Sequence, residues 1–124
     1  MSTRAQVKII SNEKSDQPIY LYQHYDGYDL FGIVIDALQR DSDRINDFEY
    51  LNRIIFSEMI KDNLMDTTGY GISNDEHDDL DYLIVVDMAN KRVSCTTAYE
   101  DRLYDYTFDY VLTTPRDEIR ASCE

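Results

Sequence analysis

The stretch L-D-Y-L-I-V-V-D-M at residues 80–88 is the most hydrophobic part of the chain. A short apolar run that is rich in β-branched residues favours a buried strand over a helix. In a strand, Tyr82, Ile84 and Val86 would share one face while Leu83 and Val85 would share the other. We therefore expect a central strand of a sheet here.

Four further segments have the alternation or the composition of strands. The first would direct Ala5, Val7 and Ile9 inward, and Pro18 suits the start of the second. The five predicted strands span residues 4–10, 19–25, 80–88, about 92–98 and about 101–113.

Two helices are predicted between the second and third strands, because apolar residues recur there at helical spacing. They cover about 28–40 and about 46–63. Asp26 or Asp29 is expected to cap the first helix. Asn46 and Glu49 have the spacing of a capping box at the start of the second.

The elements follow in the order ββααβββ, which predicts an α+β fold with a mainly antiparallel sheet and two helices packed on one face. The Gly-containing segment 67–74 is predicted to be a loop. Residues from about 115 are predicted to form a polar C-terminal tail or a short final helix. The length of 124 residues predicts a single domain over 1–124.

The net charge restricts the possible functions more than any other property of the composition. Asp and Glu number 25 against 12 Lys and Arg, for a formal net charge of −13. Direct binding to nucleic acid or to an anionic membrane is disfavoured, since both need clustered cations. Strong acidity instead directs a protein toward basic surfaces. The alternative is that the acidity serves only solubility or adaptation to high salt.

The two cysteines, Cys95 and Cys123, are too few and too far apart to indicate a disulfide framework or a zinc site. Cys95 alternates within a predicted strand and is expected to be a small buried side chain. Cys123 is expected to be an exposed free thiol. The N-terminal sequence M-S-T-R-A-Q-V-K lacks the apolar segment of a signal peptide, so we expect a cytoplasmic protein.

Three segments resemble a widespread group of small phage and prophage proteins. They are S-T-R-A-Q-V-K-I (2–9), I-Y-L-Y-Q-H-Y-D-G-Y (19–28) and D-L-D-Y-L-I-V-V-D (79–87). Members of that group carry an S/T-R-A/S start, an H-x-D-G-Y-P block and a later D-I-E-Y-x-Y-x-I-D strand. Asp29 departs from the group, which has proline at that position. The resemblance implies an origin in a mobile element and a location in the host cell.

Residues 74–81, N-D-E-H-D-D-L-D, place five acidic residues around His77. Hard divalent cations prefer several oxygen ligands, so this loop could bind one. The spacing is not that of an EF-hand, and a solvated acidic loop is the simpler interpretation.

The block H-Y-D-G-Y-D at residues 24–29 pairs His24 with Asp26 as a candidate acid and base or as metal ligands. The alternative is that Asp26 and Gly27 form a turn. No phosphate-binding loop, H-E-x-x-H, G-x-S-x-G or paired C-x-x-C motif is present. We predict a protein that is not an enzyme and that has no metal or other cofactor.

The segment E-D-R-L-Y-D-Y-T-F-D-Y at residues 100–110 alternates acids with aromatics. In a strand, one face would carry the aromatic residues Tyr104, Tyr106, Phe108 and Tyr110, and the other the acidic residues Asp101, Asp105 and Asp109. Asp105 and Asp109 would then lie about 13–14 Å apart, on the scale of a row of phosphates and equally of any strand. A helix would instead align Tyr99, Leu103, Tyr106 and Tyr110. Acidic residues on an edge strand also prevent unwanted strand pairing.

These observations predict an acidic phage-type inhibitor that binds a basic nucleic-acid-binding surface of a host defence complex. Nucleic-acid mimicry of the anti-CRISPR or anti-restriction kind is the expected mode, with a basic host protein or a CRISPR effector complex as partner. The predicted partner-binding residues are Asp75, Glu76, Asp78, Asp79, Tyr99, Asp101, Asp105 and Asp109.

Two alternatives remain open at this point. One is a non-enzymatic interaction or structural module, such as a homodimer formed through Tyr20, Tyr22 and His24. The other is a metal-dependent enzyme built on His24, Asp26 and His77, which would require these side chains to meet at one ion.

Overall fold

The computed structural model describes residues 3–12, 17–40 and 42–123. Within these residues it contains a six-stranded sheet and three α-helices, with short 3-10 turns between them. The strands are β1 (Ala5–Ile10), β2 (Ile19–Gln23), β3 (Tyr70–Ser73), β4 (Tyr82–Asp87), β5 (Arg92–Thr97) and β6 (Arg102–Thr107). The helices are α1 (Leu30–Arg40), α2 (Phe48–Ile60) and α3 (Phe108–Thr113). Residues 13–16 of the predicted connection between the first two strands lie outside the described residues.

The strands lie in the order β3-β2-β1-β4-β5-β6. β1 and β4 are parallel at the centre, with Val7 opposite Ile84, whereas the other four pairings are antiparallel. The prediction of an α+β fold with a mainly antiparallel sheet is confirmed, and the hydrophobic stretch at 80–88 forms a central strand.

The helices cover one face of the sheet, and the core lies between the two layers. Val7, Ile84 and Cys95, which share that face, are fully buried. α1 contributes Phe31, whose ring stacks on Tyr104 of β6 at a centroid distance of 5.3 Å. The predicted pair of helices is thus present, and α3 adds the buried side chains of Phe108 and Val111 to the same core.

The prediction of a loop at 67–74 is wrong, because residues 70–73 form the edge strand β3. Leu21 pairs with Ile72 and Tyr22 with Gly71. Gly69 enters the strand with a φ of 96°, a conformation that favours glycine. Of the two glycines that suggested a loop, Gly69 therefore precedes a short edge strand and Gly71 lies within it.

The predicted last strand is too long, because β6 ends at Thr107 and α3 begins at Phe108. The Thr107 hydroxyl accepts a hydrogen bond from the backbone N–H of Tyr110 at 3.0 Å, which caps the helix. Asp109 consequently lies in the first turn of α3, where an acidic side chain is favourable. The predicted straight row from Asp105 to Asp109 does not exist.

Both predicted helix caps differ from those in the structure. Asp47, not Asn46, caps α2 and accepts from the N–H of Tyr50 at 3.2 Å. Asp26 precedes the 3-10 turn Gly27–Asp29 with a φ of 55° and forms no side-chain capping bond there. Asp29, the other predicted cap of the first helix, is the last residue of that 3-10 turn, directly before α1.

The predicted polar tail is wrong beyond the 3-10 turn Arg116–Glu118. Residues 119–123, here called the C-terminal strap, run along the sheet with Ile119 and Ala121 buried. Three tyrosine hydroxyls from β4 and β6 donate to strap carbonyls. These hydrogen bonds are Tyr82 to Cys123 (2.8 Å), Tyr104 to Ser122 (2.6 Å) and Tyr106 to Arg120 (2.8 Å). The aromatic row of β6 thus has a structural role.

Candidate functional site: an acidic edge

The acidic loop 74–81 is held against the sheet by one buried amide. Gln6 of β1, with no exposed surface, lies on the face opposite the helices. Its Nε2 donates to the carbonyl of Asp75 at 3.1 Å, and its Oε1 accepts from the N–H of His77 at 3.0 Å. Both polar ends of the Gln6 amide form hydrogen bonds with the loop backbone, and this fixes the position of the loop. The acidic side chains of the loop point to solvent.

His77 adds a second attachment of the loop to the sheet. Its ring stacks on Tyr22 of β2 with a centroid distance of 4.1 Å and an angle of 7°. The Tyr22 hydroxyl lies 2.8 Å from Nδ1 of His24, and burial raises the pKa of this phenol. The stack orders the middle of a loop in which most residues are exposed.

The tip of the β5–β6 hairpin, residues 98–101, lies beside the acidic loop. The N–H of Ala98 donates to the carbonyl of Asp81 at 3.0 Å. The Thr97 hydroxyl accepts from the N–H groups of Tyr99 and Asp101 at 3.3 and 3.2 Å, which closes the tip. Glu100, with a φ of 65°, occupies the turn.

The loop and the tip together form one continuous acidic surface. A cleft of about 200 Å³ is lined by Glu76 and Asp78 from the loop and by Glu100 from the tip. Asp81, Tyr99 and Asp101 line an adjoining depression. We call this surface the acidic edge. Its members are Asp75, Glu76, Asp78, Asp79, Asp81, Tyr99, Glu100 and Asp101.

Most carboxylates of the acidic edge have no cationic partner. Asp79 is the exception, since it forms an ion pair with Arg4 at 2.8 Å. Among the described residues, no Lys or Arg forms an ion pair with the other acidic members of the edge. Their charges therefore add to a negative field outside the protein.

Tyr99 stands out from this surface because 89% of its side chain is exposed. A large, rigid aromatic group with a hydroxyl is typical of the residues that dominate binding interfaces. The other tyrosines of this region, Tyr104 and Tyr106, are half-buried and hold the C-terminal strap.

The structure brings together six of the eight predicted partner-binding residues and separates Asp105 and Asp109 from them. Asp105 lies on β6 and accepts from Arg92 at 3.0 Å and from Arg102 at 2.9 Å. Burial raises the pKa of the Asp105 carboxyl, but the two arginines outweigh burial and lower it. The negative charge of Asp105 is thus neutralised by these arginines. Asp109 lies in the first turn of α3.

Three residues of the site are missing from the sequence-based prediction: Gln6, Asp81 and Glu100. Asp81 and Glu100 lie within acidic segments, so their composition was visible, but their adjacency depends on the β4–β5 pairing, in which Tyr82 lies opposite Thr97. Gln6 carries no local signal, because a polar residue in an alternating strand is expected to face solvent.

The two alternatives of the sequence analysis, a metal site and a homodimer surface, are not formed as described there. Among the described residues, no group of three His, Cys, Asp or Glu side chains is placed to hold a metal ion. The surface proposed for a homodimer is partly covered, since Tyr20 is buried and Tyr22 lies under His77. Asp26, a candidate ligand of the metal site, accepts a hydrogen bond from the Tyr28 hydroxyl at 3.1 Å.

Comparison with models of protein families, with curated proteins and with solved structures finds no match for this chain. The resemblance to phage proteins therefore stays a prediction. No helix of the described residues combines the length and the apolar character that crossing a bilayer requires.

Replacing Gln6 with leucine is expected to release the acidic loop from the sheet. Leucine fills the buried position but removes the acceptor of the His77 N–H and one of two donors to the Asp75 carbonyl, which still accepts from the Ser73 hydroxyl at 2.9 Å. We expect the free energy of unfolding to fall by about 1–3 kcal/mol and hydrogen exchange at the His77 amide to accelerate. Lys8→Met, two positions along the same strand face, is the control. Unchanged exchange at His77 in Gln6→Leu would contradict the role of this amide.

Proposed function

We propose that this protein is an acidic inhibitor that occupies a basic nucleic-acid-binding surface of a host defence complex, of the anti-CRISPR or anti-restriction kind. One observation supports this proposal above the others. Acidic side chains without cationic partners come together from two separate segments, with Glu76, Asp78 and Glu100 around one cleft. Asp81 and Asp101 lie beside the exposed Tyr99 in the adjoining depression.

The distribution of charge favours binding over solubility as the role of the acidity. Acids that serve solubility alone would be spread over the surface and could be paired with Lys or Arg as Asp36, Glu58 and Asp105 are. At the acidic edge the negative groups are instead adjacent, and all of them except Asp79 lack an ion pair with a described Lys or Arg. Such an edge accelerates encounter with a cationic cleft and excludes like-charged partners.

The attachment of the loop favours a defined binding surface. Gln6 and the Tyr22–His77 stack hold the loop backbone, so its carboxylates are presented with little loss of chain entropy on binding. Phosphate groups are displayed by nucleic acid on a similarly ordered backbone. The resemblance of the sequence to phage proteins supports a host defence complex as the partner in this proposal.

The test compares two variants that carry the same net charge. The edge variant combines Glu76→Gln, Asp78→Asn, Glu100→Gln and Asp101→Asn. The control variant combines Asp43→Asn, Asp62→Asn, Asp117→Asn and Glu118→Gln, which are exposed acids outside the acidic edge. Each set removes four negative charges and changes the formal net charge from −13 to −9.

The native chain and both variants are used to capture proteins from a bacterial lysate at low salt. We expect the native chain to retain a nucleic-acid-binding complex that added duplex DNA or RNA competes away. The edge variant should bind the identified complex about 10- to 100-fold more weakly, because several favourable charge contacts are lost. The control variant should bind nearly as the native chain does.

Rising salt should weaken binding of the native chain more steeply than binding of the edge variant, since fewer ionic contacts remain in the variant to be screened. Equal weakening by the edge and control variants would mean that only net charge matters, and the proposal would then fail. Retention of no basic protein would likewise leave solubility as the role of the acidity.

A further inference from the structure

Cys95 and Cys123 meet in the folded chain although 28 residues separate them in sequence, and their Sγ atoms lie 3.2 Å apart. Cys95 is a fully buried residue of β5, whereas Cys123 lies half-buried in the C-terminal strap. This contact opposes the expectation that Cys123 is an exposed thiol remote from Cys95. The strap, which the sequence did not reveal, brings the two together.

Cys123 is held in place by its own backbone. Its N–H donates to the carbonyl of Tyr28 at 3.1 Å, and its carbonyl accepts from the Tyr82 hydroxyl at 2.8 Å. The side chain is thereby directed at Cys95 and not at solvent. A disulfide bond is about 2.0 Å long, so the two sulfurs need to approach by roughly 1.2 Å. A segment near the C-terminus can accommodate that movement more readily than the middle of a strand.

The two thiols have different acidities. The hydrogen bond from the Cys95 thiol lowers the pKa of Cys123, while the same hydrogen bond and burial raise the pKa of Cys95. A thiolate is the attacking species in thiol–disulfide exchange. Cys123, which is also the more accessible of the two, is therefore the first to react.

We propose that Cys95 and Cys123 form a reversible disulfide site that a low-molecular-weight disulfide, of the class of glutathione disulfide, oxidises. In the first step Cys123 loses its proton and its thiolate attacks one sulfur of the oxidant. A mixed disulfide forms, the sulfur–sulfur bond of the oxidant breaks, and one oxidant thiolate leaves and takes up the proton.

In the second step Cys95 loses its proton and attacks the Cys123 sulfur. The Cys95–Cys123 bond forms, the mixed disulfide breaks, and the second oxidant thiol leaves with the proton. Two protein thiols are oxidised in total, and one disulfide is reduced to two thiols. In a compartment with a reducing glutathione pool the dithiol is the resting form, and the bond forms when that pool becomes oxidised.

The cross-link would join the C-terminal strap covalently to the centre of β5. In the dithiol form the strap is held by hydrogen bonds and by burial of Ile119 and Ala121. Closing a loop of this length restricts the unfolded chain, and we expect Tm to rise by roughly 5–15 °C. This site does not depend on the proposed function of the acidic edge.

The test incubates the reduced chain with mixtures of reduced and oxidised glutathione. Free thiols are then blocked in denaturant with an alkylating reagent and the intact mass is measured. We expect a monomer that has lost two hydrogen atoms and accepts no alkyl group, together with the higher Tm. Returning it to reduced glutathione should restore two alkylated cysteines and the lower Tm.

Cys123→Ser is the matched control, because the hydroxyl keeps the size of the side chain and leaves buried Cys95 in place. Its Tm should not respond to the oxidant, and Cys95 should remain alkylatable after unfolding. The proposal is overturned by a stable mixed disulfide at Cys123, by a disulfide-linked dimer, or by two free thiols at every ratio of oxidised to reduced glutathione.

Discussion

Replacing Phe31 with alanine should lower the free energy of unfolding by about 3–5 kcal/mol. Phe31 is fully buried on α1, and its ring lies 5.3 Å from that of Tyr104 and 6.0 Å from that of Tyr106. Its removal leaves a cavity between α1 and the last strand and takes away the stacking partner of Tyr104. Domains of this size are stable by only about 5–15 kcal/mol, so much of the total would be lost. Urea unfolding followed by circular dichroism measures the change.

Two controls separate cavity formation from loss of any aromatic ring. Phe31→Leu retains most of the volume and should lose clearly less stability than Phe31→Ala. Tyr99→Ala removes an aromatic side chain that is 89% exposed and should change the free energy by no more than about 0.5 kcal/mol. A loss in Phe31→Ala that is no larger than that in Tyr99→Ala would contradict the packing described here.

Ending the chain at Glu118 should destabilise the protein by about 2–4 kcal/mol, because the C-terminal strap is part of the folded structure. The truncation removes the buried side chains of Ile119 and Ala121 and the acceptors of three tyrosine hydroxyls. The truncated chain no longer loses the conformational entropy of ordering the strap when it folds, and this offsets part of the loss. The measurement is again urea unfolding, with the native chain as reference.

The truncation keeps both residues of the ion pair between Arg116 and Asp36, at 2.6 Å, but removes the Ile119 carbonyl that accepts from Arg116 at 3.2 Å. A triple variant with Tyr82→Phe, Tyr104→Phe and Tyr106→Phe keeps the strap and the rings but removes the donors. It should lie between the native and truncated chains in stability. A truncated chain as stable as the native one would restore the interpretation of residues 119–123 as a free tail.

The elements predicted correctly are those whose signal is local. β1 and β5 alternate apolar and polar residues, β4 is a short apolar run rich in β-branched residues, and α1 has a long apolar stripe. β3 was missed because a four-residue edge strand with two flanking or internal glycines owes its conformation to pairing with β2. The boundary between β6 and α3 was missed because alternation from Tyr104 to Phe108 continues across Thr107, whose capping hydroxyl ends the strand.

The candidate site was predictable in composition but not in assembly. The acidic residues of loop 74–81 and of the hairpin tip are visible in the sequence, whereas their contact through Ala98 and Asp81 follows from sheet register. Asp105 was assigned to the site on its alternation with the aromatic residues, but Arg102 of the same strand and Arg92 of the neighbouring strand neutralise its charge. The strap and the Cys95–Cys123 contact depend on hydroxyl–carbonyl bonds between distant residues, for which a single sequence holds no periodic signal.

The parallel pairing of β1 with β4 has a consequence for the newly synthesised chain. Ala5 pairs with Tyr82, so one edge of β1 stays without its partner until β4 leaves the ribosome. At about 5–20 residues per second this interval lasts on the order of 4–15 s. Unpaired strand edges invite association between chains during that time. Repulsion between like-charged nascent chains opposes such association, so the acidity of this protein also acts before it has folded.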